Sequence, residues 1–192
     1  MSDLFADDPR SNRERMLAGD LYIADAELEA GTARAALLAH RYGQLYYTDQ
    51  DEARAVLGEL LGGIGEGSHI RPPLYVDYGV HLTVGSGVFV NFNLTALDVA
   101  AITIGDDVQI GPNVQLLTPT HPLDPEQRRA KLEAAAPIVI EDNVWLGGGA
   151  IVLAGVTIGR DSVIGAGSVV TRDVPAGVVA VGNPARVIRT LH

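Results

Sequence analysis

One histidine stands apart in this sequence, because it lies in a segment that interrupts an otherwise regular pattern. His121 lies two residues after Pro119 and directly before Pro122, within LTPTHPLDP at residues 117–125. An imidazole titrates near neutral pH, so this residue type is suited to take or give a proton. The chain has no cysteine, which excludes thiol nucleophiles, disulfides and cysteine-ligated zinc. His121 is therefore a candidate for acid–base chemistry, and an exposed loop histidine without a role is the alternative.

The interrupted pattern is a six-residue repeat of apolar residues. It runs through positions 64–76, 84–96, 104–116 and 140–170. The first three runs start 20 residues apart, which is three hexads and a two-residue bulge, whereas positions 140 and 158 are 18 apart. Three hexads form one coil of three short parallel strands, and the coils stack. The sequence therefore predicts a mainly β protein, a parallel β-helix; an ordinary barrel of short strands would lack this fixed phase.

The repeat divides the chain into four predicted parts. Residues 1–10 form a flexible leader, and 11–62 form an N-terminal helical cap, where apolar residues recur at three and four positions and Ser11 and Glu14 have the spacing of a capping box. Residues 63–183 form the β-helix, from which a polar, proline-rich loop at 117–137 is extruded. Residues 184–192 form a C-terminal tail. Long loops in compact repeats are usually functional.

Composition excludes several classes of function. The net charge of −10 disfavours a nucleic-acid partner, because phosphate backbones need clustered Lys and Arg. The sequence has neither a signal-peptide pattern nor an apolar run of membrane length. We therefore expect a cytoplasmic protein without a membrane or nucleic-acid partner.

Several longer motifs resemble one family. They are MLAGDLY, VNFNLTALDVAAITIG, the T-x-THP loop, VWLGGGAIVLAGVTIG, VIGAGSVVTRDVP and VGNPARVIR. Together they resemble the hexapeptide-repeat sugar O-acetyltransferases, most closely the maltose and galactoside O-acetyltransferases, over nearly the whole chain. The resemblance implies a left-handed β-helix and a homotrimer. It also implies that acetyl-CoA, as co-substrate, and a small sugar acceptor bind in clefts between subunits.

The resemblance assigns two catalytic residues. His121 matches the family's general base, which removes the proton of the acceptor hydroxyl. Asn91 matches the residue where acetyl group and acceptor meet, and its amide would steady the negative oxygen of the tetrahedral intermediate; an asparagine at a β-helix corner is the alternative. Because the chain has no cysteine and no Gly-x-Ser-x-Gly motif, we expect direct transfer rather than an acyl-enzyme.

Four acidic residues match acceptor-binding positions. Asp98 would accept from a sugar hydroxyl or orient the histidine, and a corner aspartate is the alternative. Asp77 lies where maltose enzymes carry Asp and galactoside enzymes carry Ser. Glu133 likewise resembles the maltose enzymes more than the galactoside enzymes. Asp25 takes the place of an acidic residue of the family, in a segment that is one residue shorter after GDLY than in relatives. Thr32 stands where relatives have arginine.

A larger set matches the family's coenzyme contacts. Small residues would let the pantetheine arm lie along the coil, and arginines would meet the phosphates. The set is Asn91, Trp145, Gly148, Ala166, Thr171, Arg172, Arg186 and Arg189. Trp145 as a stacked edge residue and Arg189 as a solvated tail charge are the alternatives.

We therefore expect an acetyl-CoA-dependent O-acetyltransferase acting on a maltose- or glucose-like acceptor. The alternatives are a non-sugar or antibiotic acceptor, a lipid-linked or nodulation-type oligosaccharide, and a non-enzymatic β-helix scaffold. A β-helical carbonic anhydrase needs three histidines around one metal. His69 and His81 are 12 residues apart and fall on different faces of a coil, while His40 is helical and His192 is terminal. The sequence therefore predicts no metal site.

Overall fold

The computed structural model describes residue 5 and residues 7–191. Residues 1–4 and 6 of the predicted leader, and His192 at the end of the predicted tail, lie outside the described residues. No helix within the described part of the chain has both the length and the apolar character that crossing a membrane requires.

In the part of the chain that the structure describes, three helices precede the strands, α1 (Asn12–Ala18), α2 (Ala26–Leu45) and α3 (Gln50–Leu60). The capping box at the start of α1 is complete, because Ser11 and Glu14 each accept the other's backbone N–H. Gly19 ends this helix in the left-handed conformation, with φ 77°, which glycine adopts without steric cost. Aspartates cap the other two helices, Asp25 at α2 and Asp49 at α3.

Nineteen strands follow within the described residues, most of two to four residues, with one short helix, α4 (Pro125–Arg129), in the loop. The strands are β1 (Gly63–Ile64), β2 (His69–Ile70), β3 (Leu74–Val76), β4 (Leu82–Val84), β5 (Phe89–Val90), β6 (Leu94–Leu97), β7 (Ile102–Ile104), β8 (Gln109–Ile110), β9 (Gln115–Leu117), β10 (Pro119–Thr120), β11 (Ala134–Ala135), β12 (Ile138–Ile140), β13 (Trp145–Leu146), β14 (Ile151–Leu153), β15 (Thr157–Ile158), β16 (Val163–Ile164), β17 (Val169–Val170), β18 (Val178–Val181) and β19 (Arg186–Thr190).

The strands of the repeat form three parallel sheets, one for each side of a triangular coil. The first sheet is β1-β4-β7-β12-β15, the second is β2-β5-β8-β13-β16-β18, and the third is β3-β6-β9-β14-β17. Five complete turns and part of a sixth result. The predicted parallel β-helix with a helical cap and a protruding loop is therefore confirmed.

The six-residue repeat of the sequence corresponds to the register in which successive turns of the coil pair. Ile104 pairs with Val84 on one side and with Ile140 on the other, and Ile140 pairs in turn with Ile158. These side chains are at most 5% exposed. Each apolar position therefore packs on its equivalent in the next turn, and loop 117–137 leaves the stack without changing its phase.

The cap closes the N-terminal end of the coil. Buried residues of α2 and α3, such as Leu57 and Leu60, belong to the same apolar cluster as Ile70 and Leu82 of the first turns. A second, smaller cluster lies outside the coil, where the cap packs on the turns that follow β3 and β6. Its buried members are Met16, Tyr22, Leu28, Val99 and Ala135.

Insertions in the coil concentrate on one edge, where the third sheet turns into the first. We call this the insertion edge. It comprises residues 77–81, 98–101, 118–137, 154–156 and 171–173. The first two segments contain the extra residues of the 20-residue turns, and the third is the long loop. The edge where the second sheet turns into the third, which we call the glycine edge, comprises residues 91–93, 111–114, 147–150 and 165–168.

The C-terminal segment returns along the coil. Strand β19 pairs antiparallel with β18, so that Arg186 lies opposite Val181 and Arg189 opposite Val179. The hexad pattern ends before this segment, and nothing in the spacing of its residues predicts the strand. Its consequence is that both arginines lie on an ordered strand beside the last turn.

Candidate functional site

Asp98 organises the insertion edge from within. Its side chain is 0% exposed, and its two oxygens accept backbone N–H groups from Asp77 (3.0 Å), Tyr78 (2.8 Å) and His81 (3.1 Å). Burial raises the pKa of Asp98, and the hydrogen bonds from the backbone act in the opposite direction. In a single chain this carboxylate therefore fixes the 77–81 turn.

Asp77 lies on that turn, close to two other carboxylates. Its side chain has no hydrogen-bond partner among residues 5 and 7–191. The pKa of Asp77 is raised to about 6, mainly by burial and in addition by the nearby charges of Asp98 and Glu133. The structure thus brings together three of the four predicted acceptor residues. A poorly solvated carboxylate without a partner is a strong acceptor for hydroxyl donors.

Glu133 reaches this cluster from the long loop, where it is held by Tyr22 of the cap. The Tyr22 hydroxyl donates to Glu133 Oε2 at 2.8 Å, and the two backbones exchange N–H···O bonds of 2.9 Å each. Burial raises the pKa of Tyr22, and the hydrogen bond to Glu133 adds to this effect. The phenol therefore remains a donor at neutral pH.

Asp25, the fourth predicted acceptor residue, serves the cap. One of its oxygens accepts the N–H groups of Glu27 and Leu28, both at 3.1 Å, and the other accepts the Asn12 amide at 3.0 Å. The Asn12 hydrogen bond is the main reason that the pKa of Asp25 is lowered. Both oxygens are thus occupied within the cap, one by the start of α2 and the other by Asn12 of α1. Burial is the main reason that the pKa of the Tyr78 phenol is raised to about 12, and the charge of Asp25 adds to this effect.

His121 is exposed and follows directly on β10. In the described ranges its ring has no hydrogen-bond or ion-pair partner. The backbone around it is held more firmly, because Arg128 donates to the carbonyl oxygens of Pro122 and Leu123 at 2.9 and 3.0 Å. The structure therefore presents an accessible imidazole on a hairpin that begins at the insertion edge.

Asn91 lies on the glycine edge. Its Oδ1 accepts the N–H of Phe92 at 2.9 Å, which leaves the amide nitrogen Nδ2 as a donor. Strand β6 separates this edge from the insertion edge, and its four residues span about 13 Å at about 3.3 Å per residue. The two predicted catalytic residues thus belong to different edges of one chain.

The predicted pantetheine contacts also lie along the glycine edge. A Cβ at Gly148 would lie 3.3 Å from both Cδ and the carbonyl oxygen of Pro112 in the turn below, so the surface there is closely packed backbone. Ala166 is exposed in the next turn. Trp145 is 56% exposed on β13, three residues before Gly148. We call the surface formed by Gly148 and Ala166, with Trp145 at its border, the Gly148 ledge.

The predicted phosphate contacts fall on two sites. Thr171 and Arg172 are exposed at the insertion edge of the last turn, whereas Arg186 and Arg189 lie on β19 beside the second sheet. Arg186 donates to the carbonyl oxygen of Ala185 at 2.8 Å. Over the described residues, none of these arginines pairs with a carboxylate. Three unpaired guanidinium groups are therefore available to an anionic ligand.

Two residues of this region were not predicted from the sequence. Tyr22 lies in the quoted MLAGDLY motif, but it falls between helices, where no periodicity marks a buried side chain. His81 lies on the insertion edge between two runs of the hexad repeat, and its Nδ1 is 2.8 Å from the carbonyl oxygen of Asp98. As for metals, no group of three or more His, Asp or Glu side chains within residues 5 and 7–191 has the arrangement of a metal site.

Two family motifs match the sequence. Residues 15–65 match the maltose acetyltransferase hexapeptide capping motif, and residues 137–172 match the bacterial transferase hexapeptide of six repeats. The first covers most of the helical cap and the second covers turns four and five of the coil.

Curated relatives cover nearly the whole chain. Nodulation protein L of Rhizobium meliloti (strain 1021) is 49% identical over 179 residues, which are 93% of this chain and 98% of the relative. Galactoside O-acetyltransferase of Escherichia coli (strain K12) is 39% identical over 180 residues, 93% of this chain and 89% of the relative.

Solved structures agree with this relationship. A maltose O-acetyltransferase from Clostridium difficile 630 superposes with a TM-score of 0.93 at 39% identity, over 95% of this chain and 98% of the other. A galactoside acetyltransferase in complex with coenzyme A gives 0.91 at 38% identity, over 95% and 92%. A hexapeptide-repeat acetyltransferase from Vibrio cholerae O1 biovar eltor, complexed with acetyl coenzyme A, gives 0.88 at 42% identity, over 95% and 100%.

The resemblance stated from the motifs is therefore confirmed, together with the left-handed hexapeptide-repeat β-helix that it implies. The chain belongs to the maltose and galactoside acetyltransferase family, whose members are acetyl-CoA-dependent sugar O-acetyltransferases.

Proposed function

We propose that this chain transfers the acetyl group of acetyl-CoA directly to a hydroxyl of a small maltose- or glucose-like sugar, with His121 as general base. The observation that carries the proposal is the accessible, proline-flanked imidazole on a hairpin that shares the insertion edge with Asp77 and Glu133. Acid–base and hydroxyl-accepting groups are thus held on one edge of the coil.

The proposed reaction has one tetrahedral intermediate. The His121 imidazole removes the proton of the acceptor hydroxyl while the hydroxyl oxygen attacks the thioester carbonyl. Negative charge collects on the carbonyl oxygen, and Asn91 Nδ2 donates a hydrogen bond to it. Collapse of the intermediate breaks the C–S bond, and the imidazolium returns its proton to the departing thiolate. The Phe92 N–H on Asn91 Oδ1 supports this role, because it turns the donor end of the amide outward.

The acceptor is assigned from the carboxylates of the insertion edge. Burial removes water from Asp77, and a sugar hydroxyl that donates to Asp77 takes the place of that water. The desolvation that raises the pKa of Asp77 therefore also strengthens this hydrogen bond. Glu133 keeps Oε1 available, since Tyr22 bonds to Oε2. Asp98 acts in this scheme by holding the turn that carries Asp77.

We further propose that the acting species is a homotrimer, with the acceptor and acetyl-CoA in clefts between subunits. The support is the division of the candidate residues between two edges. His121, Thr171 and Arg172 lie on the insertion edge, while Asn91 and the Gly148 ledge lie on the glycine edge. A single rigid coil cannot bring two of its edges together, but the insertion edge of one copy can face the glycine edge of the next.

Acetyl-CoA would then lie along the glycine edge. Its pantetheine arm would follow Gly148 and Ala166, with Trp145 packed against it. Its phosphates would meet Arg172, Arg186 and Arg189, none of which has a carboxylate partner among the described residues. On a protein with a net charge of −10, such a local positive surface is needed to attract an anionic co-substrate.

The proposal is tested by following thiol release from acetyl-CoA with a panel of maltose, glucose, galactosides and non-sugar alcohols. His121→Ala should lower kcat by about 10²-fold or more and leave acetyl-CoA binding unchanged. His40→Ala, an exposed histidine of α2, is the matched control. A turnover of His121→Ala within about threefold of wild type would exclude His121 as the base. Thiol release with non-sugar alcohols alone would exclude the sugar acceptor.

A further inference from the structure

The hairpin that carries His121 is one part of a small three-stranded sheet. Strand β11 (Ala134–Ala135) pairs antiparallel with β10 (Pro119–Thr120) on one side. The residue before β11, Glu133, pairs antiparallel with Tyr22 of the cap on the other side. Residues 133–135 are therefore the middle strand, and they join the cap to the strand that ends at His121.

The register of this sheet places His121 and Glu133 at the same end of the hairpin. Pro119 pairs with Ala135 and Thr120 with Ala134, and His121 and Glu133 are the next residues along the two strands, beyond these pairs. Glu133 is in turn the direct partner of Tyr22. Directly opposed residues of antiparallel strands place their side chains on the same face, with Cβ atoms about 4.5–5.5 Å apart. The side chains of Tyr22 and Glu133 thus share one face of the sheet, and His121 follows directly on the strand that β11 pairs with.

Tyr22 is the buried member of its pair with Glu133. It is 2% exposed, and it packs in the cluster that joins the cap to the coil, whose members include Met16, Leu28 and Val99. Its hydroxyl and both of its backbone groups bond to Glu133. By contrast, other contacts of the loop, such as Arg128 to Pro122 and the ion pair of Arg129 with Glu126, are exposed. The cap is therefore a buried attachment of the hairpin, in addition to Thr118 at its base, which is buried and donates to the carbonyl oxygen of Leu97.

We propose that Tyr22 is a positioning residue for acetyl transfer: its hydroxyl fixes Glu133 and thereby the hairpin strand that sets the position of His121. The inference rests on the proposed function of His121 and extends it to a residue of the helical cap. Tyr22 touches neither substrate in this scheme. It acts through Glu133, and its loss should affect turnover rather than coenzyme affinity.

The first experiment removes one oxygen atom. Tyr22→Phe keeps the buried ring and deletes only the donor. We expect kcat to fall about tenfold or more, because small displacements of catalytic groups have large kinetic effects, with an unchanged KM for acetyl-CoA. Hydrogen exchange across residues 118–135 should be faster than in the wild type. Tyr42→Phe is the matched control: the Tyr42 hydroxyl is also buried and donates to a backbone carbonyl, that of Ile70, at the cap end of the coil away from the loop.

Melting temperatures separate positioning from simple loss of stability. Both variants lose one buried hydrogen bond, so they should melt at similar temperatures, and only Tyr22→Phe should lose turnover. A kcat for Tyr22→Phe within about twofold of that for Tyr42→Phe would overturn the proposal. A lower kcat with unchanged exchange in residues 118–135 would overturn it as well, because the hydroxyl would then act without ordering the hairpin.

Variants of Glu133 test whether Tyr22 acts through this residue. Glu133→Gln keeps a carbonyl oxygen that accepts the Tyr22 hydroxyl, so hydrogen exchange across residues 118–135 should stay close to that of the wild type, whereas Glu133→Ala should speed this exchange as Tyr22→Phe does. In the Glu133→Ala background, Tyr22→Phe should cause no further loss of kcat, because the interaction is already broken. Multiplied losses in the double variant would show independent roles and refute the inference.

His121→Ala distinguishes this proposal from the proposed function. If His121→Ala retained wild-type turnover, the general base would be wrong whatever Tyr22 does. If His121→Ala were inactive and Tyr22→Phe fully active, the base would stand and the positioning role would be lost.

Discussion

Replacing Asp77 by asparagine should stabilise the protein at neutral pH and leave its stability nearly unchanged below about pH 4. Asn has the shape of a protonated aspartate and cannot acquire the charge that burial opposes. The pKa of Asp77 is raised from 3.8 to about 6, first by burial and then by the charges of Asp98 and Glu133. This acid therefore holds its proton more tightly in the folded chain than in the unfolded chain.

The sign of the effect follows from proton binding. Between pH 3.8 and about 6 the folded state binds more protons at Asp77 than the unfolded state, so the free energy of unfolding falls as the pH rises through this window. Above this window the charge of Asp77 lowers the free energy of unfolding by its full amount. A shift of about two units corresponds to roughly 3 kcal/mol. Because the carboxyl group is only partly buried, solvent screening reduces this to about 1–2 kcal/mol.

The assay is urea unfolding of Asp77→Asn and wild type between about pH 4 and pH 8, at one fixed protein concentration because assembly contributes to stability. The gain in free energy of unfolding should be small at the acid end, rise across the window and stay constant above it. Glu66→Gln is the control, since Glu66 is exposed and its side chain has no partner in the described part of the chain. An equal gain at all pH values, or none, would refute an electrostatic cause. Acceptor KM should rise in Asp77→Asn even as stability increases.

Two further predictions concern the coenzyme and the assembly. Arg172→Ala and Arg186→Ala should each raise the KM for acetyl-CoA about tenfold, as expected for a charge-assisted hydrogen bond, with little change in kcat. Added salt should reduce the difference in KM between variant and wild type. Arg41→Ala, which changes an exposed residue of the cap, is the control. An unchanged coenzyme KM in both variants would mean that the coenzyme binds elsewhere. Sedimentation should show a trimer as the active species, and an active monomer would contradict the shared cleft.

Much of the fold is readable from local spacing. Each turn of the coil repeats the same contacts, so one rule, an apolar residue every six positions, predicts the stacking of Ile104 on Val84 and Ile140 without knowledge of distant residues. The capping box of Ser11 and Glu14 is equally local. The long loop is visible because its residues break the rule. The edge that carries the insertions follows from where the extra residues fall.

The environment of each candidate residue could not be read in this way. Tyr22 and Glu133 are 111 residues apart, and no spacing rule links a residue between two helices to one in a loop. The raised pKa of Asp77 depends on burial and on carboxylates from two other segments. The sequence likewise gives no sign that Asp98 faces three backbone N–H groups. Hydrogen bonding and desolvation depend on which distant groups packing brings within a few ångströms, and that is decided only when the cap, the turns and the loop meet at the insertion edge.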